Sequence, residues 1–433
     1  MDEPLKSSLS ARFRFLLEKE YKPITFTYGI VMLRTRRGLS LMESLGKRRI
    51  TKPLAWFMLF LMPISGGIAL YIILQEVLIF FSPRGPAVIT YIRTITPLAN
   101  LLLPGINPYV PIVYGWIAIV VAVVIHEASH GIVARSLGLR VKSAGLIFFF
   151  FIPLGAFVEV DETQLRETKA RNSLRVLGAG SGINFIVGLV CLALLILSVA
   201  AMVPAANGSA IVGVEADASG LPSPALHAGI MPGDFIVAID GTPNNDLGSL
   251  TLQPFQVVNI TIWRDGQTMV LPNVKLGETI QENTQTHQNI THAYLGVSYI
   301  PYQSLTGTAK TYAHDYSNDP FLYIIPPAFP SVAYVIPFSA QLNGFYTSPL
   351  GSATPIVENL LFWLFFVNFN LAIFNNLPIY PMDGGQALER FLVGAGRGRI
   401  SDEVAKRITI AVTILLVFTL VAVVGGPYLS AYF

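Results

Sequence analysis

The sequence contains little charge. Asp, Glu, Lys and Arg make up 13% of its 433 residues, compared with the roughly 25% typical of soluble domains. Apolar residues make up 52%, and they run in stretches of twenty or more, which is the length of a membrane-spanning helix. These features exclude an ordinary soluble enzyme. The formal net charge of +3 gives no support for nucleic-acid binding.

The sequence also has almost no cysteine. The single thiol, Cys191, lies in an apolar run, which excludes an internal disulfide and leaves the redox compartment open. A cleavable signal peptide is not expected either, because twelve Lys and Arg residues occupy 1–53 before any long apolar run begins.

Five apolar segments are predicted to span the membrane, and a sixth span is the alternative. These segments are 54–81, 111–134, 176–203, 354–378 and 406–427. Lys and Arg are frequent in 1–53, 135–175 and 381–407, whereas 204–353 contains only three. The positive-inside rule therefore predicts an integral protein of the cell membrane with a cytoplasmic N-terminus and an external 204–353 segment.

Two further stretches are apolar without being clean spans. Residues 143–158 are short and contain Pro153 and Gly155, which predicts a re-entrant element shielded by protein. Residues 320–346 contain five prolines among aromatic residues, which favours a segment lying along the outer interface.

The composition predicts five regions along the chain. They are a basic cytoplasmic N-terminal region (1–53), the first part of a membrane core (54–203), an external folded domain (204–300), an external or interfacial segment (301–353) and the second part of the membrane core (354–433).

The second span contains the sequence His126-Glu127-Ala128-Ser129-His130. A spacing of four residues puts both imidazoles on one helix face, where they can share a zinc ion, and Glu127 lies beside them to activate a zinc-bound water. A carboxylate within a membrane span is expensive and therefore indicates function. The alternative is a buried Glu–His cluster that only ties helices together.

Two histidines and a water leave a catalytic zinc one protein ligand short. Asp383 follows a Pro-broken helix end and precedes Gly384 and Gly385, which makes it the candidate for the third ligand. His126 lies nine residues before Arg135, about 13 Å along a helix, and Asp383 lies a similar distance before Arg390. The matching depth favours one composite site. The alternative for Asp383 is a helix N-cap.

Residues 223–246 of the external domain predict a short helix, a Gly-x-x-Pro-Gly-Asp turn and a strand that ends at Asp240-Gly241. This pattern resembles a PDZ domain, which implies that a peptide or protein C-terminus binds as an added strand. Ile211–Val214 is the expected strand edge. The alternative is another small β-rich domain in which the turn closes a hairpin.

Together, the motifs resemble the site-2 protease family of intramembrane zinc metalloproteases. The family pattern His-Glu-x-x-His occurs at 126–130 and Asn-x-x-Pro-x-x-x-x-Asp-Gly at 375–384, with the PDZ-like insert between them. The basic N-terminal arm is more similar to archaeal members. The resemblance implies a polytopic α-helical fold of five or six transmembrane helices, with a membrane-embedded β element and an inserted α/β PDZ-like domain.

The resemblance also implies roles for individual residues. His126, His130 and Asp383 would bind one zinc ion per chain, and Glu127 would be the general base. Asn375 would position the substrate or the oxyanion.

Further substrate-binding residues are implied in the membrane. Gly155, Ala156 and Phe157 are similar to the family's β element, whose edge is expected to pair with an unwound substrate helix. Asn184 matches the small-residue third span of the family. Segment 301–353 has no family counterpart.

The expected activity is hydrolysis of peptide bonds within or near the transmembrane helix of a membrane-anchored protein, in the lipid bilayer. One alternative is a membrane-anchored zinc protease that acts on ordinary cytoplasmic chains. The alternative from another class is a non-catalytic membrane receptor or chaperone, whose PDZ-like domain binds peptides and whose metal site is structural.

Overall fold

A computed structural model describes residues 23–429 with six gaps, which are Tyr28, Arg37, Phe151, 217–221, 283–288 and 307–343. The chain divides into two compact units. Unit 1 comprises Met1–Cys191 and Trp363–Phe433, and unit 2 comprises Leu192–Phe362. Most of the predicted interfacial segment, 320–346, lies outside the described residues.

Ten α-helices lie wholly within the described residues. They are α1 (Leu39–Gly46), α2 (Thr51–Phe80), α3 (Gly85–Arg93), α4 (Ile112–Ser136), α5 (Glu162–Glu167), α6 (Ala170–Ala200), α7 (Pro224–His227), α8 (Thr354–Asn375), α9 (Asp383–Ala395) and α10 (Asp402–Leu429).

Five helices, α2, α4, α6, α8 and α10, are long and apolar enough to cross a membrane. Each corresponds to one predicted span, and the boundary between the two units falls within α6 and α8. Large apolar side chains on these helices are exposed, including Leu197 (66%) and Phe418 (72%). Helices that are apolar on all sides are typical of lipid surroundings, which supports a polytopic membrane protein.

Fourteen strands are described. They are β1 (Ile24–Thr27), β2 (Ile30–Thr35), β3 (Val141–Phe149), β4 (Ile152–Val160), β5 (Val203–Pro204), β6 (Ser209–Val214), β7 (Phe235–Ile239), β8 (Thr242–Pro243), β9 (Val257–Arg264), β10 (Gln267–Lys275), β11 (Gly277–Glu282), β12 (Asn289–Tyr294), β13 (Val297–Ile300) and β14 (Tyr346–Thr347).

Unit 1 contains a four-stranded antiparallel sheet in the order β1-β2-β3-β4. The hairpin of β3 and β4 covers the predicted re-entrant stretch 143–158, and pairing between the strands satisfies backbone groups that an apolar environment cannot. Strand β2 pairs with β3 from Ile30↔Phe149 to Thr35↔Ala144. The β1–β2 hairpin was not predicted, because the many Lys and Arg residues of 1–53 indicated only a basic cytoplasmic region.

Small residues bring the helices of unit 1 close together. Ala55 and Met58 of α2, Ala134 of α4, and Val176 and Ala179 of α6 form one buried cluster. The alanines of this cluster let helix backbones approach closely within a membrane, where no hydrophobic force drives association. This packing places α4 and α6 side by side.

Unit 2 contains a sheet in the order β10-β9-β7-β6-β13, with β8 paired to β7. The predicted short helix is α7, capped by the Ser223 side chain, and the predicted strand is β7. Gly229 and Gly233 between them have φ angles of +78° and +102°, which glycine adopts readily. The sheet and α7 enclose a core that includes Ile211, Ile236 and Ile260.

The expected strand edge, Ile211–Val214, lies in β6. On one side, the ladder between β7 and β6 covers Ser209 and Ala210. On the other side, β13 pairs with β6 from Ala210 to Val214. The outer strand on that side of the described sheet is β13. Sequence alone could not locate β13. This strand follows the rest of the sheet along the chain, and a segment of only four residues is compatible with many positions in a sheet.

Candidate metal centre

Two histidines on α4 begin the candidate metal centre. His126 and His130 are four residues apart, so both side chains project from one face of the helix. Their Nε2 atoms are 3.1 Å apart, and the residues are only 5% and 9% exposed. Two buried nitrogen donors therefore point towards one position.

The orientation of His130 is fixed by α6. Its Nδ1–H donates to the carbonyl oxygen of Val176 at 2.6 Å, which leaves the lone pair on Nε2, where a metal ion would need it. The Nδ1 atom of His126 is buried and has no hydrogen-bond partner among the described residues. Sequence reasoning missed Val176, because a backbone carbonyl leaves no mark in the sequence.

A carboxylate from a distant segment completes the cluster. Asp383 is the first residue of α9, and its Oδ2 lies 3.2 Å from Nε2 of His126 and 3.3 Å from Nε2 of His130. The N-cap of α9 is Met382, so the Asp383 carboxylate faces the imidazoles and is not a helix cap. Asn375 donates from Nδ2 to the same Oδ2 at 2.9 Å and lies 3.1 Å from Nε2 of His126.

Glycine on α6 leaves space beside these donors. A Cβ atom at Gly180 would lie directly against the Nε2 atoms of His126 and His130. Two imidazole nitrogens and one carboxylate oxygen, all within 4.8 Å of one another, are a donor set of catalytic zinc sites that leaves a fourth position open. The residues therefore fit a zinc ion. The sequence showed the glycine-rich third span but did not single out Gly180.

Glu127 lies outside the donor cluster. Its Oε2 accepts a hydrogen bond from the backbone N–H of Val158 on β4 at 3.0 Å. Because Val158 uses its N–H in this way, its backbone groups point away from β3. Groups of alternate residues in an antiparallel pair share one direction, so those of Ala156 also point to the outer edge of β4.

The other residues expected on the β element lie on β4. Gly155, Ala156 and Phe157 pair with Ile147, Leu146 and Gly145 of β3. The described residues place no further strand against the outer edge of β4.

Asn184 is placed differently. It is completely buried on α6, and its Nδ2 donates to the carbonyl oxygen of Ala122 on α4 at 3.1 Å. This contact ties α6 to the helix that carries both histidines. Nothing in the described residues places Asn184 beside Glu127 or the donor cluster, so a role in substrate binding stays a prediction.

A buried pair of histidines with a carboxylate, set among helices that can span a membrane, is typical of a membrane metallopeptidase. Residues 114–420 match Peptidase family M50, which is more than half of the chain. The chain belongs to this family, and the resemblance to site-2 proteases is thereby confirmed.

The relatives of this chain include an uncharacterized protein and proteins named as zinc metalloproteases. The chain is 26% identical over 366 residues to the uncharacterized protein MJ0971 of Methanocaldococcus jannaschii, which covers 83% of this chain and 77% of MJ0971. It is 26% identical over 182 residues to the zinc metalloprotease RasP of Shouchella clausii, covering 39% of this chain and 40% of RasP. A putative zinc metalloprotease of Streptococcus pneumoniae, spr0242, is 29% identical over 77 residues, or 18% of each chain.

Proposed function

We propose that this protein is an intramembrane zinc metalloprotease that hydrolyses peptide bonds within or near the transmembrane helices of membrane-anchored substrates. The observation that carries the proposal is the buried cluster of His126, His130 and Asp383. Its donors come from α4 and α9, which are far apart in sequence, and they meet among apolar helices that can span a membrane. A soluble protease is not expected to place its metal-binding residues among such helices.

The proposed metal ligands are His126, His130 and Asp383. A zinc ion bound by them would polarise the scissile carbonyl and lower the pKa of the attacking water. Asn375 would hold the Asp383 carboxylate in place through its 2.9 Å hydrogen bond, and its amide could also donate to the oxyanion that develops on the substrate.

Glu127 would be the proton carrier. It removes a proton from the water whose oxygen attacks the carbonyl carbon, and it delivers that proton to the amide nitrogen as the C–N bond breaks. The backbone N–H of Val158 holds this carboxylate at 3.0 Å, so the base is oriented before the substrate arrives.

The outer edge of β4 would present the substrate. A transmembrane helix hides its amides in internal hydrogen bonds, and it must unwind before hydrolysis. The outward-facing backbone groups of Ala156 and the carbonyl group of Val158 could pair with the unwound segment as an added strand, while the N–H of Val158 continues to hold Glu127. Gly155 and Phe157 would then lie within the same binding strand.

The central experiment measures zinc and cleavage separately. Full-length protein in detergent should contain about one zinc per chain, and Asp383→Ala should lose it. Glu127→Gln should keep the zinc but lower cleavage of a membrane-anchored substrate by about 10²–10⁴-fold, because it removes the proton carrier. A wild-type chain without zinc, or turnover by Glu127→Gln at the wild-type rate, would overturn the proposal.

Unit 2 is proposed to contain a PDZ-like domain on the extracytoplasmic side, with the N-terminus in the cytoplasm, as the distribution of Lys and Arg indicates. Among the described strands, β13 is at the outer edge of the sheet, where a peptide C-terminus could add as a strand.

This role can be tested on sealed right-side-out vesicles. Peptides with a free C-terminus, added outside, should bind the protein, whereas the same peptides with an amidated C-terminus should not. Equal binding of both peptides, or of neither, would remove the proposed role.

A further inference from the structure

A buried polar bridge lies beside the metal centre. Ser181 of α6 donates from Oγ to Oδ1 of Asn376 at 2.6 Å, and Nδ2 of Asn376 donates to Oγ of Ser65 on α2 at 2.5 Å. Ser65 and Ser181 are completely buried, and Asn376 is 6% exposed. Both ends of one carboxamide are therefore bonded to two different helices within an apolar interior, where such bonds are not exchanged with water.

Two of the three residues of this bridge each follow a residue of the metal centre. Asn376 follows Asn375, whose side chain is hydrogen bonded to Asp383. Ser181 follows Gly180, whose Cα faces both imidazoles. The bridge therefore joins the segment that supplies the carboxylate to the helix that lies against the histidines.

Close backbone packing holds the same segment from both sides. A Cβ atom at Gly66 on α2, next to Ser65, would lie 2.8 Å from the carbonyl oxygen of Asn376. A Cβ atom at Gly384, next to Asp383, would collide with the backbone of Asn376 and Leu377. The start of the 376–383 segment is thus fixed against α2 and α6, and its end is packed against its start.

We propose that Asn376, held by Ser65 and Ser181, is a positioning residue that sets the distance between Asp383 and the two histidines. This inference rests on the proposed zinc site. Without the bridge, the 376–383 segment can move relative to α6 and carry the carboxylate away from the Nε2 atoms. Groups that orient ligands in this way typically change metal affinity by about 10–100-fold when they are removed.

The test compares zinc affinity with stability of the zinc-free protein. Asn376→Leu removes both bonds while keeping the side chain similar in size. Ser65 already donates to carbonyl oxygens of its own helix, and Ser181 can do the same in the variant. The control is Asn368→Leu on α8. Asn368 is also buried, but among the described residues its Nδ2 bonds to the carbonyl oxygen of Leu364 on its own helix and to no other helix. Zinc affinity is measured on full-length protein in detergent by competition with a chelator.

Asn376→Leu is expected to weaken zinc binding by about 10–100-fold, whereas Asn368→Leu keeps wild-type affinity even where both variants lower the thermal stability of the zinc-free protein equally. If Asn376→Leu does not fold, Ser65→Ala and Ser181→Ala each remove one bond and should each weaken zinc binding, while Ser65→Thr retains the hydroxyl and should restore it.

Two failures are distinguishable. Wild-type protein that binds no zinc would refute the proposed function itself. Wild-type protein that binds zinc, together with Asn376→Leu or both serine variants that bind it within twofold of wild type, would refute the positioning role alone.

Discussion

Two buried aspartates, one in each unit, have opposite surroundings. In unit 2, Asp234 is 1% exposed and accepts hydrogen bonds from Nε and Nη2 of Arg264 at 2.6 and 2.7 Å, and from the backbone N–H of Met231 at 2.8 Å. In unit 1, Asp383 is surrounded by two imidazoles and the Asn375 amide, and among the described residues it forms no ion pair with Lys or Arg.

The difference is the one expected between a structural carboxylate and a proposed metal ligand. The hydrogen bond to Asp234 raises the pKa of Arg264, so the arginine stays charged and neutralises the buried aspartate permanently. Asp383 has two imidazoles and a carboxamide where Asp234 has a guanidinium group. A buried carboxylate without a fixed positive partner is expensive, and a divalent cation can supply the missing charge.

The largest expected effect is on zinc binding, when each of the two aspartates is replaced by asparagine. Asp383→Asn should abolish zinc binding and lower peptidase activity by at least about 10³-fold, because it removes one of three protein ligands. Asp234→Asn should leave zinc at wild-type stoichiometry. Metal analysis of both variants, purified side by side, measures this contrast, and comparable zinc loss in both would show that the two aspartates do not differ as described.

The next effect concerns stability. Arg264→Leu leaves the Asp234 carboxylate buried without its cation, and it should destabilise unit 2 by about 3 kcal/mol with zinc content unchanged. Hydrogen exchange of the β9 amides in the full chain reports this loss. Arg407→Leu, which breaks the exposed Arg407–Glu403 pair of α10, should change stability by less than about 0.5 kcal/mol. Equal losses of stability in Arg264→Leu and Arg407→Leu would contradict the described difference between a buried and an exposed ion pair.

A smaller effect probes the space around the donors. Gly180→Ala places a methyl group against both Nε2 atoms and should weaken zinc affinity by about 10–100-fold, as changes around metal ligands typically do. Gly67→Ala on α2 is the control, since a Cβ atom there meets nothing within 4 Å. Chelator competition distinguishes them. Unchanged zinc affinity in Gly180→Ala would mean that α6 does not limit the space beside the two imidazoles.

Much of the centre could be predicted from sequence, because His126 and His130 are four residues apart on one helix and therefore share a face. Asp383 could be predicted because zinc chemistry required a third ligand at matching depth. Val176, Gly180 and the Asn376 bridge could not, since they act through tertiary proximity. The β1–β2 hairpin was not predicted for a related reason: β2 pairs with β3, which lies more than a hundred residues further along the chain.

The origin of the donors in two distant segments has a consequence for biosynthesis. Chains are made from the N-terminus at about 5–20 residues per second, and Asp383 comes about 250 residues after His130. A nascent or prematurely truncated chain carries His126, Glu127 and His130 in its second membrane helix but lacks the carboxylate. The proposed metal centre can therefore be assembled only after Asp383 has been synthesised, and chains that stop before this residue would be inert in the membrane that receives them.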